Sequence, residues 1–177
     1  DPFINRGLDS LFYGCYQDSR FMVVSTPSGI TLAPEGGAHQ SINTPLVGMG
    51  LDKLAYFEPA FVDELGIIMA WSFRHMQADD GGSVYLRLST RPLDQPARNV
   101  TSELIEAVTK GAYWLKEPAP GAEIAIAYCG AVAPEAIAAH EALLEDVPGA
   151  GLLAVTSPDL LHQGWLEANR TPGASSH

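Results

Sequence analysis

The chain has 177 residues, of which 46% are hydrophobic, enough for one large domain or for one domain and part of another. The 21 acidic and 10 basic residues give a formal charge of −11, which opposes binding to nucleic acid or to an anionic membrane. Apolar runs such as residues 124–132 are too short to span a bilayer, and Asp1-Pro2-Phe3 does not resemble a signal peptide. These features favour a cytoplasmic protein.

The first half of the chain alternates predicted strands with predicted helices. Apolar spacing and turn residues predict helices at residues 3–16, 41–49 and 60–77 and strands at 21–25, 54–57 and 83–89. This order indicates an α/β fold that contains a parallel sheet with right-handed crossovers and flanking helices. One stripe of the longest helix is expected to face the core, and it comprises Phe61, Leu65, Ile68, Met69, Ser72 and Phe73.

The second half is predicted to be a smaller α/β unit. Residues 93–102 contain Pro96 and Asn99 and no apolar periodicity, which predicts a linker. Beyond it, the pattern predicts a helix at 103–110, another helix from residue 134, and strands at 113–116, 123–129 and 152–156. These elements are too few to cover both faces of a sheet, so we expect an incomplete second α/β unit.

Several residues that could carry chemistry lack the partners that such chemistry needs. Cys15 and Cys129 lie in apolar surroundings far apart in the sequence, and we expect both to be buried thiols. His75 and His140 fall on predicted helices at no metal-ligand spacing, so we expect surface or core-edge positions for them. The sequence therefore predicts no metal site.

The chain ends suggest that the sequence belongs to a longer protein. Asp1 is in a position to cap a helix that begins at Pro2, and no C-terminal signal precedes His177. We therefore expect an excised piece of a longer chain.

Residues 26–44, which we call the long loop, are the most informative stretch. A connection of this length in a compact domain is usually a binding loop, a lid or a disordered segment, and its glycines and prolines favour an ordered loop. It follows a predicted strand, and α/β proteins bind ligands at the carboxyl ends of strands. The loop carries Glu35, His39 and Gln40. Each also has a structural explanation: His39 could be solvated or bonded to the backbone, Glu35 could cap the following helix, and Gln40 could brace the loop.

Three segments resemble the transketolase superfamily of thiamine diphosphate enzymes. Residues 35–40 read Glu-Gly-Gly-Ala-His-Gln, which is similar to the Asp-Gly-Pro-Thr-His-Gln loop of transketolases. Residues 83–92 resemble the last strand of their pyrimidine-binding domain, and residues 110–116 resemble the entry into their C-terminal domain. The order of these segments makes the resemblance specific. It is closest to the decarboxylating first component of homodimeric bacterial pyruvate dehydrogenase.

The resemblance implies a division of the chain and a set of partners. Residues 1–92 would be the later part of a pyrimidine-binding domain, residues 93–102 a linker, and residues 103–177 the start of the C-terminal domain. The full-length parent would use thiamine diphosphate and magnesium, with none bound to this piece, because the cofactor-binding residues are expected upstream of Asp1. The parent would be a homodimer that decarboxylates pyruvate and passes the acetyl group to a lipoyl-bearing acyltransferase, whereas the piece alone would be inactive.

The resemblance also implies roles for residues of the long loop. His39 would be the catalytic residue that faces the substrate, and Glu35 and Gln40 would bind substrate. Because Gly37 and Ala38 replace the proline and threonine of transketolases, a small 2-oxo acid is favoured over a sugar. Two alternatives stay open, namely a transketolase that moves two-carbon units between sugar phosphates and a non-catalytic module with the same fold.

Overall fold

The computed structural model describes residues 1–37, 39–41 and 43–170, which form two three-stranded sheets with flanking helices. The first unit contains α1 (Leu8–Tyr16), β1 (Met22–Ser25), α2 (Thr44–Met49), β2 (Leu54–Phe57), α3 (Val62–His75) and β3 (Ser83–Arg87). The second contains α4 (Ser102–Lys110), β4 (Ala112–Lys116), β5 (Ala125–Cys129), α5 (Ala133–Asp146), β6 (Gly151–Val155) and α6 (Pro158–Arg170). Short 3-10 helices span Pro2–Gly7, Gly29–Glu35 and Gly130–Val132. The predicted α/β class is confirmed.

The first sheet is parallel, with β3 between β1 and β2. Val84 lies opposite Met22 on one side and opposite Ala55 on the other. All five residues of β3 are buried, so this strand is the centre of the first unit. Its last residue, Arg87, therefore places a guanidinium inside the protein, at the carboxyl edge of the sheet.

Helix α3 presents a different face to the core from the predicted one. Met69 and Phe73 are 36% and 54% exposed, so their assignment to the buried stripe is wrong. Glu64 and Ile67 are buried in their place. The helix can bury Glu64 because the carboxylate accepts hydrogen bonds from the amide of Phe61 (3.0 Å) and from a tyrosine of β4. The predicted apolar stripe did not include this glutamate.

The last turn of α3 contains a histidine that must be neutral. The imidazole of His75 stacks on Trp71 with ring centroids 4.5 Å apart, and its Nε2 accepts a hydrogen bond from the amide of Gly82 (3.0 Å). Burial lowers the pKa of His75; the charge of Asp80 opposes this shift, and the charge of Arg20 adds to it.

We expect this histidine to make the protein less stable in mild acid. The unfolded chain takes up the proton near the ordinary histidine pKa of about 6.5, before the folded chain does, so stability is lost as pH falls through this range. Urea unfolding at pH 7 and at pH 5.5 should show a smaller pH effect for His75→Gln than for the unaltered protein. His162→Gln, which changes an exposed histidine, is the control. Equal pH effects in all three proteins would contradict the expectation.

The second sheet combines an antiparallel edge with the predicted β-α-β unit. Strand β6 pairs in parallel with β5 and antiparallel with β4. His140 of α5 is buried, with its Nε2 2.8 Å from the carbonyl oxygen of Ala150, so the expectation of a surface or core-edge position is wrong. Cys15 is buried as expected, and Cys129 is half-buried. Helix α6 was not predicted.

The two units share one core and a set of backbone hydrogen bonds. The amide of Glu58, just after β2, donates to the carbonyl oxygen of Thr156 (2.8 Å). The hydroxyl of Ser157 donates to the carbonyl oxygen of Tyr56 (2.6 Å), and the Asp159 carboxylate accepts from the Tyr56 amide (3.4 Å). The outer edge of β2 is therefore bonded to residues that follow β6, and a single hydrophobic cluster extends through both units.

Residues 88–101, which we call the strap, connect the units without helix or strand. The Arg98 guanidinium forms two hydrogen bonds with the Asp63 carboxylate (2.6 and 2.9 Å) and one with the Tyr113 hydroxyl (2.7 Å). Burial opposes ionisation of Asp63, but the hydrogen bonds and charge of Arg98 outweigh it and hold the pKa of Asp63 below its usual value. Gln95 accepts a bond from the Val62 amide (2.8 Å). The strap is thus fixed to the start of α3.

Candidate functional site

The long loop begins at the carboxyl end of β1 and is tied to the chain beyond β3. The amide of Ser28 donates to the carbonyl oxygen of Leu88 (2.8 Å), and the hydroxyls of Thr31 and Ser89 share a hydrogen bond (2.7 Å). The loop contains the 3-10 helix Gly29–Glu35, which the sequence analysis did not predict. A 3-10 helix this short leaves no periodic apolar signal that could have predicted it.

His39 is half-buried beside a turn of the long loop. Gly36 adopts a positive φ of 86°, and the amide of His39 donates to the carbonyl oxygen of Gly36 (3.1 Å). The imidazole meets the ring of Phe3 edge to face, with centroids 6.0 Å apart. Its Nδ1 is buried and has no hydrogen-bond partner among the described residues. A buried polar atom in this state calls for a functional or structural explanation.

The other two predicted site residues, Glu35 and Gln40, are exposed. Glu35 ends the 3-10 helix of the loop. The side-chain amide of Gln40 donates to the carbonyl oxygen of Ala33 (3.1 Å), which fits the bracing role that sequence analysis left open. The structure therefore places the three predicted residues on one loop but gives them different surroundings. Their roles toward a substrate stay predictions.

A buried carboxylate, missed by sequence analysis, joins the two ends of the long loop. The carboxylate of Asp1 accepts hydrogen bonds from the hydroxyls of Ser25 (2.7 Å) and Thr44 (3.0 Å) and also from that of Ser41. Ser25 precedes the loop, and the other two lie at its far end. Asp1 was expected to cap a helix, but its side chain makes no capping bond. Its carboxylate is occupied by the hydroxyls instead.

Arg87 is the cation of this cluster. Its Nη2 and Nε lie 2.9 and 3.3 Å from the two carboxylate oxygens of Asp1, and its Nη1 donates to Glu58 and to the Tyr56 hydroxyl (3.3 Å). The side chains of Asp1, Arg87 and Glu58 are 0%, 5% and 13% exposed. We call Asp1, Tyr56, Glu58 and Arg87 the ionic cluster. A basic residue in an otherwise apolar central strand was the signal that could have predicted it.

In the ionic cluster, the carboxylates of Asp1 and Glu58 both contact the Arg87 guanidinium. Burial opposes the charge of Arg87, but Glu58 and the neighbouring tyrosines outweigh this effect and raise the pKa of Arg87. Burial, together with the charge of Glu58, raises the pKa of Tyr56, so this hydroxyl stays protonated and donates to Glu58. The cluster is therefore a fixed, hydrogen-bonded group at the carboxyl edge of the first sheet.

Comparisons with known proteins agree with this fold. No protein-family model matches the chain. The pyruvate dehydrogenase E1 component of Mycolicibacterium smegmatis is 30% identical over 169 residues, which cover 92% of this chain and 17% of that protein. The transketolase of Leishmania mexicana has a TM-score of 0.76 at 18% identity and covers 92% of this chain and 23% of its own. A split-gene transketolase in an inactive β4 tetramer has a TM-score of 0.64 at 19% identity, over 96% of this chain and 52% of its own.

The chain has the transketolase fold and resembles the pyruvate dehydrogenase E1 component over most of its own length. This confirms the resemblance predicted from residues 35–40, 83–92 and 110–116. The chain spans only 17% of the curated relative that it matches, and the likeness to the transketolase structures shows the fold alone. These two comparisons therefore do not show the activity of the whole protein.

The chain also has cavities away from the long loop. A cavity of about 540 Å³ between the strap and α5 is lined by Phe61, Arg91 and Glu141 among others, and none of the three predicted site residues lines it. Within residues 1–37, 39–41 and 43–170, no group of three His, Cys, Asp or Glu residues could hold a metal ion. No helix in the same described part is both long and apolar enough to cross a membrane.

Proposed function

We propose that this chain works within a longer, cytoplasmic, thiamine diphosphate-dependent enzyme of the pyruvate dehydrogenase E1 type. The whole enzyme decarboxylates pyruvate and transfers the acetyl group to the lipoyl group of an acyltransferase, and it acts as a homodimer. The 30% identity to a pyruvate dehydrogenase E1 component supports this proposal more strongly than the 18–19% identities to transketolases. Gly37 and Ala38, which replace the proline and threonine of the transketolase loop, also favour a small 2-oxo acid.

The observation that carries the proposal is the buried ring nitrogen of His39, which is unpartnered within the part of the chain that the structure describes. Its Nδ1 is buried without a partner among the described residues, on a loop at the carboxyl edge of a parallel sheet. No described residue satisfies this buried nitrogen, and we propose that its partner is a ligand group or another part of the whole enzyme. Glu35 and Gln40 lie on the same loop, and we propose that they bind the substrate.

The role that we assign to His39 is stabilisation of negative charge. Bound thiamine diphosphate would supply carbanion chemistry toward the carbonyl group of a 2-oxo acid. His39 would act as a preorganised donor that stabilises the negative charge on the carbonyl oxygen. Histidine suits this task because it donates hydrogen bonds and titrates near neutral pH. The edge-to-face contact with Phe3 restricts the rotation of the ring.

We propose no diphosphate or magnesium site within the described residues. They contain no cluster of three metal-ligating side chains. We therefore assign no cofactor contact to them and propose that other parts of the whole enzyme hold thiamine diphosphate and magnesium. In the same proposal, residues 1–92 are the later part of a pyrimidine-binding domain, residues 93–102 are a linker, and residues 103–177 begin the C-terminal domain.

Substitution of His39 in the whole enzyme tests the proposed function. We expect His39→Ala to lower kcat for pyruvate by about tenfold or more, because one donor to the charged oxygen is lost. His162→Ala, at an exposed histidine on α6, is the matched control and should retain full turnover. Circular dichroism checks that both variants fold. Unchanged turnover in a folded His39→Ala protein would remove His39 from the site.

A transketolase activity is the second candidate, because residues 35–40 resemble the Asp-Gly-Pro-Thr-His-Gln loop of transketolases. Assays of the whole enzyme with pyruvate and with xylulose phosphate separate the two reactions. Turnover of the sugar phosphate alone would replace the pyruvate proposal. A folded protein that turns over neither substrate would support the third alternative, a non-catalytic module.

A further inference from the structure

The segment at the start of the chain touches the long loop at two separate points. The carboxylate of Asp1 accepts hydrogen bonds from Ser41 and Thr44, at the end of the loop. Two residues further on, the ring of Phe3 lies against the imidazole of His39. Because His39 and Ser41 are themselves two residues apart, the two contacts hold one short stretch of the loop from both of its ends.

The same carboxylate also fixes the beginning of the loop. Ser25 is the last residue of β1, and its buried hydroxyl donates to Asp1 (2.7 Å). Closing a long loop costs chain entropy. Because residues at both ends of this loop donate to the Asp1 carboxylate, the carboxylate keeps the two ends together. Asp1 thus connects the strand that enters the loop with the stretch that contains His39.

The position of Asp1 in turn depends on Arg87. The guanidinium binds both oxygens of the Asp1 carboxylate, at 2.9 and 3.3 Å, and both side chains are almost fully buried. A planar guanidinium that binds a carboxylate through two hydrogen bonds fixes its orientation as well as its charge. Arg87 belongs to the central strand β3, so the carboxylate is held by a strand whose residues are all buried.

We propose that Asp1, Phe3 and Arg87 form a clamp that positions the long loop and sets the orientation of the His39 imidazole. All three are positioning residues that act through the loop. The consequence for catalysis rests on the proposed function, whereas the clamp itself is a property of the fold. Loss of the clamp should therefore increase the mobility of the long loop more than that of the first sheet.

Hydrogen–deuterium exchange of the whole protein, followed by mass spectrometry, tests the clamp. In Asp1→Asn, an amide nitrogen replaces one acceptor oxygen, and one of the two negative charges that face Arg87 is lost. We expect amide exchange in residues 26–44 to rise about tenfold or more, with little change in β3. Exchange at the C2 hydrogen of His39 should rise as well, because this hydrogen reports on the imidazole itself. Asp9→Asn, an exposed aspartate on α1, is the matched control and should change neither signal.

A second variant keeps the test decisive if Asp1→Asn does not fold. Phe3→Leu removes the ring against His39 and leaves the ionic cluster intact, so exchange at the His39 C2 hydrogen should rise while β3 keeps its protection. Unchanged exchange in the loop and at His39, or an equal rise in the loop and in β3, would overturn the proposal. Neither readout requires turnover of pyruvate, so failure of the proposed function would leave the result on the clamp interpretable.

Discussion

Substitution of Glu64 by alanine should lower the free energy of unfolding by about 3–5 kcal/mol, because it breaks a buried, hydrogen-bonded ionic group. One carboxylate oxygen of Glu64 accepts the amides of Ala60 (2.7 Å) and Phe61 (3.0 Å), and the other accepts the hydroxyl of Tyr113. Arg98 lies 3.6 Å from the second oxygen. Removal of the carboxylate leaves two amides without their acceptor and deprives Arg98 of one of its two carboxylate neighbours.

Chemical denaturation followed by tryptophan fluorescence measures this loss. The free energy of unfolding of Glu64→Gln should lie between that of the unaltered protein and that of Glu64→Ala. Glutamine keeps one acceptor oxygen but replaces the other with an NH2 donor. Glu106→Ala is the control: Glu106 is 66% exposed and pairs with Lys110 one turn away, so its loss should change stability by no more than about 0.5 kcal/mol. A loss below about 1 kcal/mol for Glu64→Ala would mean that the buried group contributes little beyond an exposed ion pair.

Alanine at Gly81 should destabilise the protein by about 3 kcal/mol or more, because the added methyl group has no space. A Cβ atom on Gly81 would lie 1.7 Å from the carbonyl oxygen of His75 and 3.1 Å from that of Ala78. Both are backbone atoms at the end of α3, so the turn itself would have to move.

The same substitution within α3 should have the opposite effect. A Cβ atom on Gly66 would meet nothing within 4 Å, and alanine in a helix is favoured over glycine by about 1 kcal/mol. Thermal unfolding of Gly81→Ala and Gly66→Ala should therefore shift Tm in opposite directions. Shifts of the same sign would contradict the contact geometry at the end of α3.

Apolar periodicity predicted most of the fold because most elements bury an apolar face. Helix α6 was missed because it buries little apolar surface: its one buried residue is Asp159, which accepts a hydrogen bond from the edge of β2. The face of α3 was assigned incorrectly for a related reason. Glu64 reads as a solvated residue, and only the fold brings Arg98 and Tyr113 close enough to bury it.

The candidate site was predicted in part for similar physical reasons. The long loop was recognisable because its glycines, prolines and functional side chains are close together in the sequence. The ionic cluster was not, because Asp1, Glu58 and Arg87 are far apart in the chain and each taken alone reads as a surface residue. The apolar surroundings of Arg87 were the only local sign that a partner had to exist.

The hydrogen bonds between β2 and the residues after β6 also bear on aggregation. An uncovered edge strand offers its backbone groups to strands of other molecules, which is a common route to aggregation. In this protein the Tyr56 and Glu58 amides are already engaged by Asp159 and Thr156, so another chain cannot extend the first sheet from that side. The second unit thereby blocks intermolecular strand pairing at the β2 edge of the first sheet, independently of any chemistry at the long loop.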